Sequence, residues 1–231
     1  MGENSHRRRP DVEDTADNEN DQYVPDDGIS KRICYFYDND YAGMYYGSDH
    51  PMKPPRIAMT HSLVVGYGLD EKMDVYRPRR AQREELVSWH SEDYINTLRC
   101  TTPEVFKNSL AHGTYAKYGL DEDCPIFPGM FDFCRLYSGA SIEGAAKLNS
   151  GQYDIAVNWA GGLHHAKKSS SSGFCYVNDC VLVCSCFNLR IPSGCARRHE
   201  YSPRIHYCDV GDQTSYITRA THCSSLLAAL C

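Results

Sequence analysis

The stretch 154-DIAVNWAGGLHHAKK-168 gives the first indication of how this chain folds. It begins with a short apolar run, Asp154 to Trp159, which predicts a buried β-strand. Two glycines and a histidine pair, His164 and His165, follow that strand directly. In a parallel α/β sheet, ligands and catalytic groups collect beyond the carboxyl ends of the strands. The pattern therefore places a candidate active site at the end of this strand.

Two interpretations of the histidine pair are compatible with its spacing. Imidazole titrates near neutral pH, so His164 and His165 could act as a paired acid and base if neighbouring carboxylates separate their pKa values. A polar loop whose hydrogen bonds are all satisfied would show the same two residues. Spacing alone does not decide between these readings.

Segments on both sides of this stretch alternate between strands and helices. Residues 32–37 are β-branched and aromatic and predict a first strand. Helical patterns follow over 56–65, after the N-cap candidate Ser91, and over 131–148. Helices that alternate with short apolar strands predict an α/β layer fold with a parallel sheet.

Composition limits the broad class of the protein. The 231 residues are 42% hydrophobic, which is typical of one soluble domain with a real core. No run of about 18 apolar residues occurs and the N-terminus is polar, so neither a membrane span nor a secretory signal is expected.

Charge is concentrated at the N-terminus. The net charge is −6, and residues 1–31 hold nine acidic and four basic residues. We expect a disordered acidic arm over 1–31, because this segment has too few apolar side chains to offset the entropy of ordering. The rest of the chain is nearly neutral, which does not favour direct, sequence-specific binding of nucleic acid.

The twelve cysteines are unevenly distributed, with seven in the last 52 residues. Without a secretory signal they are expected to be thiols or metal ligands rather than disulfides. The tail's zinc-type side chains show no recognisable zinc-finger spacing. The character of the sequence therefore changes near residue 180.

Four motifs resemble class I histone deacetylases of the reduced-potassium-dependency type. They are NWAGGLHHAKK from Asn158, SGFCYVND from Ser172, HPMKPPRIAMTHSLV from His50 and EDCPIFPGMFDFC from Glu122. The likeness runs over residues 32–182 and is long and specific. It divides the chain into the arm of residues 1–31, a partial catalytic domain of residues 32–182, and a divergent, cysteine-rich tail of residues 183–231.

The resemblance implies a fold and an activity. The fold would be a three-layer arginase/deacetylase-like α/β structure, truncated, with helices flanking a parallel sheet. The activity would be zinc-dependent hydrolysis of acetyl-lysine on histone tails, in the nucleus, with corepressor proteins as partners and transcriptional repression as the outcome.

The resemblance also implies roles for single residues. His164 and His165 match the histidines that flank the zinc-bound water, as electrostatic partner and general base. Gly173 and Phe174 match the wall of the acetyl-lysine tunnel, and Asp123 matches the aspartate at its rim. Arg56 and Cys175 match residues that line the internal cavity below the site. Taken singly, Asp123 could be a turn residue, Phe174 a core aromatic and Arg56 a helix-capping charge.

The expected metal ligands are not found in the sequence. In the family an Asp-x-Asp-x-His-His-Gly-Asp-Gly segment would follow residue 182, and residues 183–231 do not contain it. We therefore expect this chain to be catalytically inactive, and the alternative to an enzyme is a binding or regulatory fragment. Loss of the later strands also predicts an unpaired sheet edge.

Overall fold

The fold is built from short strands and helices that alternate along the chain. The structure is a computed structural model that describes residues 31–107, 112–186, 208–210, 213–220 and 225–230. The strands are β1 (Ile33–Phe36), β2 (Asp74–Tyr76), β3 (Ile155–Asn158), β4 (Cys208–Val210), β5 (Gln213–Ala220) and β6 (Ser225–Leu230). Residues 1–30 of the predicted acidic arm lie outside the described residues.

Seven α-helices occur in the described part of the chain. They are α1 (Pro55–Gly66), α2 (Arg83–Leu86), α3 (Glu92–Cys100), α4 (Pro103–Lys107), α5 (His112–Ala116), α6 (Met130–Asn149) and α7 (Asp179–Cys186). The helix predicted over 131–148 is confirmed as α6, with one more residue at each end. Ser91 stands at the N-cap of α3 as predicted, but its hydroxyl makes no capping hydrogen bond. Among these described helices, none has the length and apolarity needed to cross a bilayer.

The alternation of side chains along β1 creates three layers. Tyr35 and Tyr37 point to one face, where both contact His61 of α1. Cys34 and Phe36 point to the other face and pack in a cluster with residues of α6, such as Ala140 and Leu148. Successive side chains of a strand face opposite sides of a sheet, so α1 and α6 cover opposite faces. The predicted helix–sheet–helix arrangement is confirmed.

The sheet order brings the two best-predicted strands together. β1 lies between β2 and β3 and is parallel to both. Phe36 pairs with Asn158, so β1 and β3 end at the same edge of the sheet. The loop that contains the histidine pair leaves the sheet at this edge, as expected for an α/β site.

The outer edge of β3 does not remain unpaired, contrary to the expectation from the sequence. β6 pairs with it in parallel, from Ile155 opposite Leu226 to Val157 opposite Ala228. β5 and β4 then continue the sheet in antiparallel orientation. The segment 225-SLLAAL-230 is apolar and supplies backbone partners to β3, which is why the predicted open edge is wrong.

Candidate active site

A buried carboxylate supports the loop after β3. Asp179, the first residue of α7, is 1% exposed. Its two oxygens accept hydrogen bonds from the backbone N–H groups of Gly162 (3.0 Å) and Leu163 (2.8 Å) and from the Ser141 hydroxyl (2.6 Å). Burial raises the pKa of Asp179, although these hydrogen bonds act in the opposite direction. The loop is therefore fixed to α6 and α7 directly before the histidines.

Asn158, the last residue of β3, completes this support. Its Nδ2 donates to the Tyr137 carbonyl (3.0 Å) and to the Ser141 hydroxyl (2.9 Å), and its Oδ1 accepts from the Ala160 N–H (3.2 Å). Gly161 lies against this cluster so closely that an added Cβ would stand 2.6–2.8 Å from three polar atoms. Only glycine fits there without displacing a buried hydrogen bond.

The two histidines lie side by side at the end of this loop. Their ring centroids are 3.9 Å apart with a 41° angle between the ring planes. His164 is half-buried and His165 is exposed. His164 Nδ1 lies 3.1 Å from the Gly162 carbonyl, which can only accept, so Nδ1 carries a proton. In the neutral ring, Nε2 is then the nitrogen that can take up a proton.

Gly173 and Phe174 form a strained bend against the second histidine. Both residues have positive φ, 50° at Gly173 and 68° at Phe174, a conformation that is rare for a phenylalanine. A Cβ at Gly173 would lie 3.1 Å from Cβ and Cγ of His165. The Phe174 carbonyl accepts a hydrogen bond of 3.0 Å from the Tyr46 hydroxyl, which holds the bend. The structure thus places Gly173 against His165, with Phe174 next to it in the same bend, and the role of both residues as a tunnel wall stays a prediction.

His50 connects the predicted rim residue to this bend. Its Nδ1 accepts from the Met52 N–H (3.0 Å), so its Nε2 donates to the Asp123 carbonyl (3.1 Å). The same ring contacts Phe174 edge-on, with centroids 4.7 Å apart. The Asp123 side chain is exposed. Its own backbone N–H is bound by the Asp121 carboxylate, so Asp121, not Asp123, makes the side-chain hydrogen bond of this turn.

Arg56 and Cys175, the predicted cavity residues, both act electrostatically on Tyr46. Arg56 is half-buried in the first turn of α1, and Cys175 is 4% exposed. Burial raises the pKa of Tyr46, the Cys175 sulfur adds to this effect and the Arg56 charge opposes it. The roles of both residues at a cavity stay predictions.

Three buried cysteines are unsuited to nucleophilic catalysis. Burial raises the pKa of the Cys34, Cys124 and Cys134 thiols to about 12. At neutral pH they are therefore protonated, and the thiolate is the nucleophilic form.

The described residues do not fit the zinc ion that the resemblance implies. Among the side chains that the structure describes, no group of three or more His, Cys, Asp or Glu residues could hold a metal. Several tail residues with zinc-type side chains, such as Cys195, His199 and His206, lie outside the described residues.

The supporting residues Asn158, Asp179 and Ser141 were missed by reasoning from the sequence. They are ordinary polar residues in their local context, and each becomes informative only because it is buried. The one available signal was that Asn178 and Asp179 interrupt an otherwise apolar stretch before α7.

Comparisons with known proteins agree with this geometry. Residues 50–210 match the family described as the histone deacetylase domain. The chain is 54% identical over 156 residues to histone deacetylase 1 of Homo sapiens, covering 68% of this chain and 32% of the relative. It is 53% identical over 160 residues to probable histone deacetylase 19 of Zea mays, covering 69% and 31%.

A third relative gives the same result. Histone deacetylase B of Dictyostelium discoideum is 52% identical over 152 residues, covering 66% of this chain and 35% of that protein. The chain thus spans about a third of the length of the curated relatives it matches. The family match covers well over half of the chain, and the observed α/β fold agrees with it: this chain belongs to the histone deacetylase family.

Proposed function

We propose that this chain carries the acetyl-lysine-binding part and the paired histidines of a zinc-dependent deacetylase that acts on histone tails. The observation that supports this most is the placement of His164 and His165 beside the bend at Gly173 and Phe174. An aromatic face and a bare backbone suit the aliphatic stem of a lysine. His164, with its proton on Nδ1, can accept a proton at Nε2.

The rim residue fits the same function. The Asp123 carboxylate is exposed, and His50 fixes the backbone of Asp123 near Phe174. A carboxylate in this position can accept hydrogen bonds from the backbone of a peptide whose lysine enters between the two residues. Acetylated histone tails are therefore the proposed substrates. Nuclear location, corepressor partners and transcriptional repression are proposed from family membership.

We further propose that this chain does not hydrolyse acetyl-lysine by itself. Zinc-dependent hydrolysis needs a metal held by protein ligands with a position left open for water. Neither the sequence after residue 182 nor the described side chains supply a recognisable ligand set. The alternative function is that of a binding or regulatory fragment, which the retained tunnel wall and rim favour.

Zinc content and turnover test these proposals on one sample. The purified full chain is washed with chelator, supplied with zinc, and assayed for bound metal and for turnover of an acetyl-lysine peptide. We expect less than 0.1 zinc per chain and no turnover, in a sample whose circular dichroism shows a folded protein. One tightly bound zinc together with turnover that a hydroxamate blocks would contradict the proposed inactivity.

Peptide binding tests the alternative function. Fluorescence anisotropy compares a labelled histone-tail peptide in its acetylated and unacetylated forms. Tighter binding of the acetylated form, weakened several-fold by Phe174→Ala but not by Tyr67→Phe on the exposed surface, supports a binding fragment. Equal affinity for the two peptides contradicts it.

A further inference from the structure

One side-chain amide holds the loop on both sides of His165. Asn178 is 5% exposed, and its Nδ2 donates to the carbonyl of His164 (2.8 Å) and to the carbonyl of Ala166 (3.0 Å). These two carbonyls belong to the residues directly before and after His165. A single buried group thus fixes the backbone of both members of the histidine pair.

The remaining polar groups of Asn178 are used as well. Its Oδ1 accepts from the Val181 N–H (3.1 Å), in the position of an N-cap of α7. Its backbone N–H donates to Nε2 of His90 (3.0 Å). Asn178 therefore links the histidine loop to α7 and to the segment before α3.

His90 extends this hydrogen-bonded network from Asn178 to Lys168. It is 2% exposed, and because its Nε2 accepts a hydrogen bond, its proton lies on Nδ1. Nδ1 then donates to the carbonyl of Lys168 (3.2 Å), which also accepts from the Ser91 N–H (2.9 Å). The two nitrogens of one neutral ring thus join the far end of the histidine loop, at Lys168, to Asn178.

Capping of α7 does not explain why residue 178 is an asparagine. Aspartate or serine would also accept a hydrogen bond from the Val181 N–H. Only an amide can accept this bond and at the same time donate to two carbonyl groups. The two donated bonds are therefore the part of the geometry that a capping role leaves unexplained.

We propose that Asn178 and His90 are positioning residues that set the orientation of the His164 and His165 rings by fixing the backbone on both sides of His165. This inference rests on the proposed function, in which the two imidazoles act on acetyl-lysine. Neither Asn178 nor His90 is placed in contact with substrate; they act through the loop.

The first measurement needs no variant. Long-range ¹H–¹⁵N spectra of the full chain with labelled histidine report the tautomer of each ring at neutral pH. We expect His90 to be neutral with its proton on Nδ1. A charged ring, or a proton on Nε2, would overturn the proposal, because Nε2 could then not accept from Asn178.

The second measurement separates positioning from capping. Asn178→Asp keeps the oxygen that caps α7 and removes both donors to the loop. We expect the ring ¹H and ¹⁵N signals of His164 and His165 to move. The signals of His61, which stacks on Tyr37 on the other face of the sheet, should not change.

Controls keep this test decisive. Asn96→Asp is the matched substitution, because Asn96 uses its Oδ1 to accept from Arg83 and that oxygen is retained. It should leave both rings of the pair unchanged. Asn178→Ser is the second variant: its hydroxyl can still accept from the Val181 N–H, its single proton cannot serve both carbonyl groups, and it adds no charge near the two rings.

A folded Asn178→Asp or Asn178→Ser protein with His164 and His165 signals identical to those of the unmodified chain would overturn the proposal. None of these readouts uses zinc or turnover. Absence of deacetylation therefore leaves the positioning proposal intact, and unchanged ring signals leave the proposed function intact.

Discussion

Single buried polar residues determine the shape of the histidine loop. Asp179, Asn158 and Ser141 share a hydrogen-bonded cluster beneath Gly161 and Gly162, and each is at most 2% exposed. An unpaired polar group in such a place costs about 1–3 kcal/mol, so these residues depend on one another. Small changes of volume or charge are expected to have large effects here.

Replacement of Gly161 by alanine tests the space above this cluster. The added methyl group would lie 2.6–2.8 Å from Asp179 Oδ2, Asn158 Nδ2 and Ser141 Oγ. We expect the free energy of unfolding, measured with urea, to fall by about 2–3 kcal/mol. Gly66→Ala is the control, because nothing lies within 4 Å of its added Cβ, and its stability should stay equal or rise by up to about 1 kcal/mol. Equal unfolding free energies of the two variants would show that the Asp179, Asn158 and Ser141 cluster leaves room for a methyl group at Gly161.

Burial of His90 predicts a dependence of stability on pH. Burial lowers the pKa of His90 from its usual 6.5 to about 4. Between these values the unfolded chain binds a proton that the folded chain does not, so stability is lost as pH falls from about 6.5 to about 4. The shift corresponds to about 3 kcal/mol.

Urea unfolding at several pH values between 7 and 4 measures this loss. The comparison is with His90→Gln, whose side chain does not titrate. We expect the variant to lose about 3 kcal/mol less than the unmodified chain over this range. The same pH dependence in both proteins would show that another group is responsible.

One segment without regular secondary structure depends on side chains for its backbone hydrogen bonds. Residues 175–178 are buried but belong to neither a strand nor a helix. The Tyr94 hydroxyl donates to the Tyr176 carbonyl (2.7 Å). The Tyr137 hydroxyl donates to the Val177 carbonyl (3.0 Å) and accepts from the Val177 N–H (2.8 Å). Two tyrosines thus supply the partners that a neighbouring strand would otherwise provide.

Tyr137→Phe removes one of these partners with little change in volume. Two buried backbone groups of Val177 lose their hydrogen bonds, so we expect the urea unfolding free energy to fall by about 2–4 kcal/mol. Tyr67→Phe is the control, because Tyr67 is 78% exposed. Its unfolding free energy should change by no more than about 0.5 kcal/mol. If the unfolding free energy of Tyr137→Phe fell by less than about 1 kcal/mol, the backbone groups of Val177 would have found other hydrogen-bond partners.

The sheet as a whole includes strands from both parts of the sequence. β1, β2 and β3 come from the region of family likeness, and β6 from the tail completes the edge of β3. An uncovered strand edge presents free N–H and C=O groups that can pair with another chain. We therefore expect the tail to contribute to the solubility of the fold in addition to its stability.

Removal of the tail tests this arrangement. A chain that ends at Cys186 lacks β4, β5 and β6, and we expect it to form oligomers or aggregates at concentrations where the full chain is monodisperse. Size-exclusion chromatography with light scattering makes the comparison. Removal of residues 1–30 is the control, because all described strands remain. A monodisperse product after tail removal would show that β3 does not need β6.

Much of the fold and of the site could be predicted from sequence alone. The apolar run before Trp159, the helical spacing over 131–148 and the strand over 32–37 are local patterns, and local patterns determine secondary structure. The motif around His164 and His165 identified the family because it is long and specific. The resemblance also assigned Gly173 and Phe174 to the wall of a tunnel, which stays a prediction.

Only the tertiary structure decided which polar residues support this site. Asn178 and His90 lie 88 positions apart in sequence, and Asp179 reaches Ser141 across 38 positions. Their roles follow from burial and from partners distant in sequence, and neither is visible in a local pattern. The pairing of β6 with β3 has the same origin, since a strand's neighbour is chosen by long-range contact. The sequence by itself thus determined the elements and the histidine pair, whereas the tertiary structure determined what holds that pair in place.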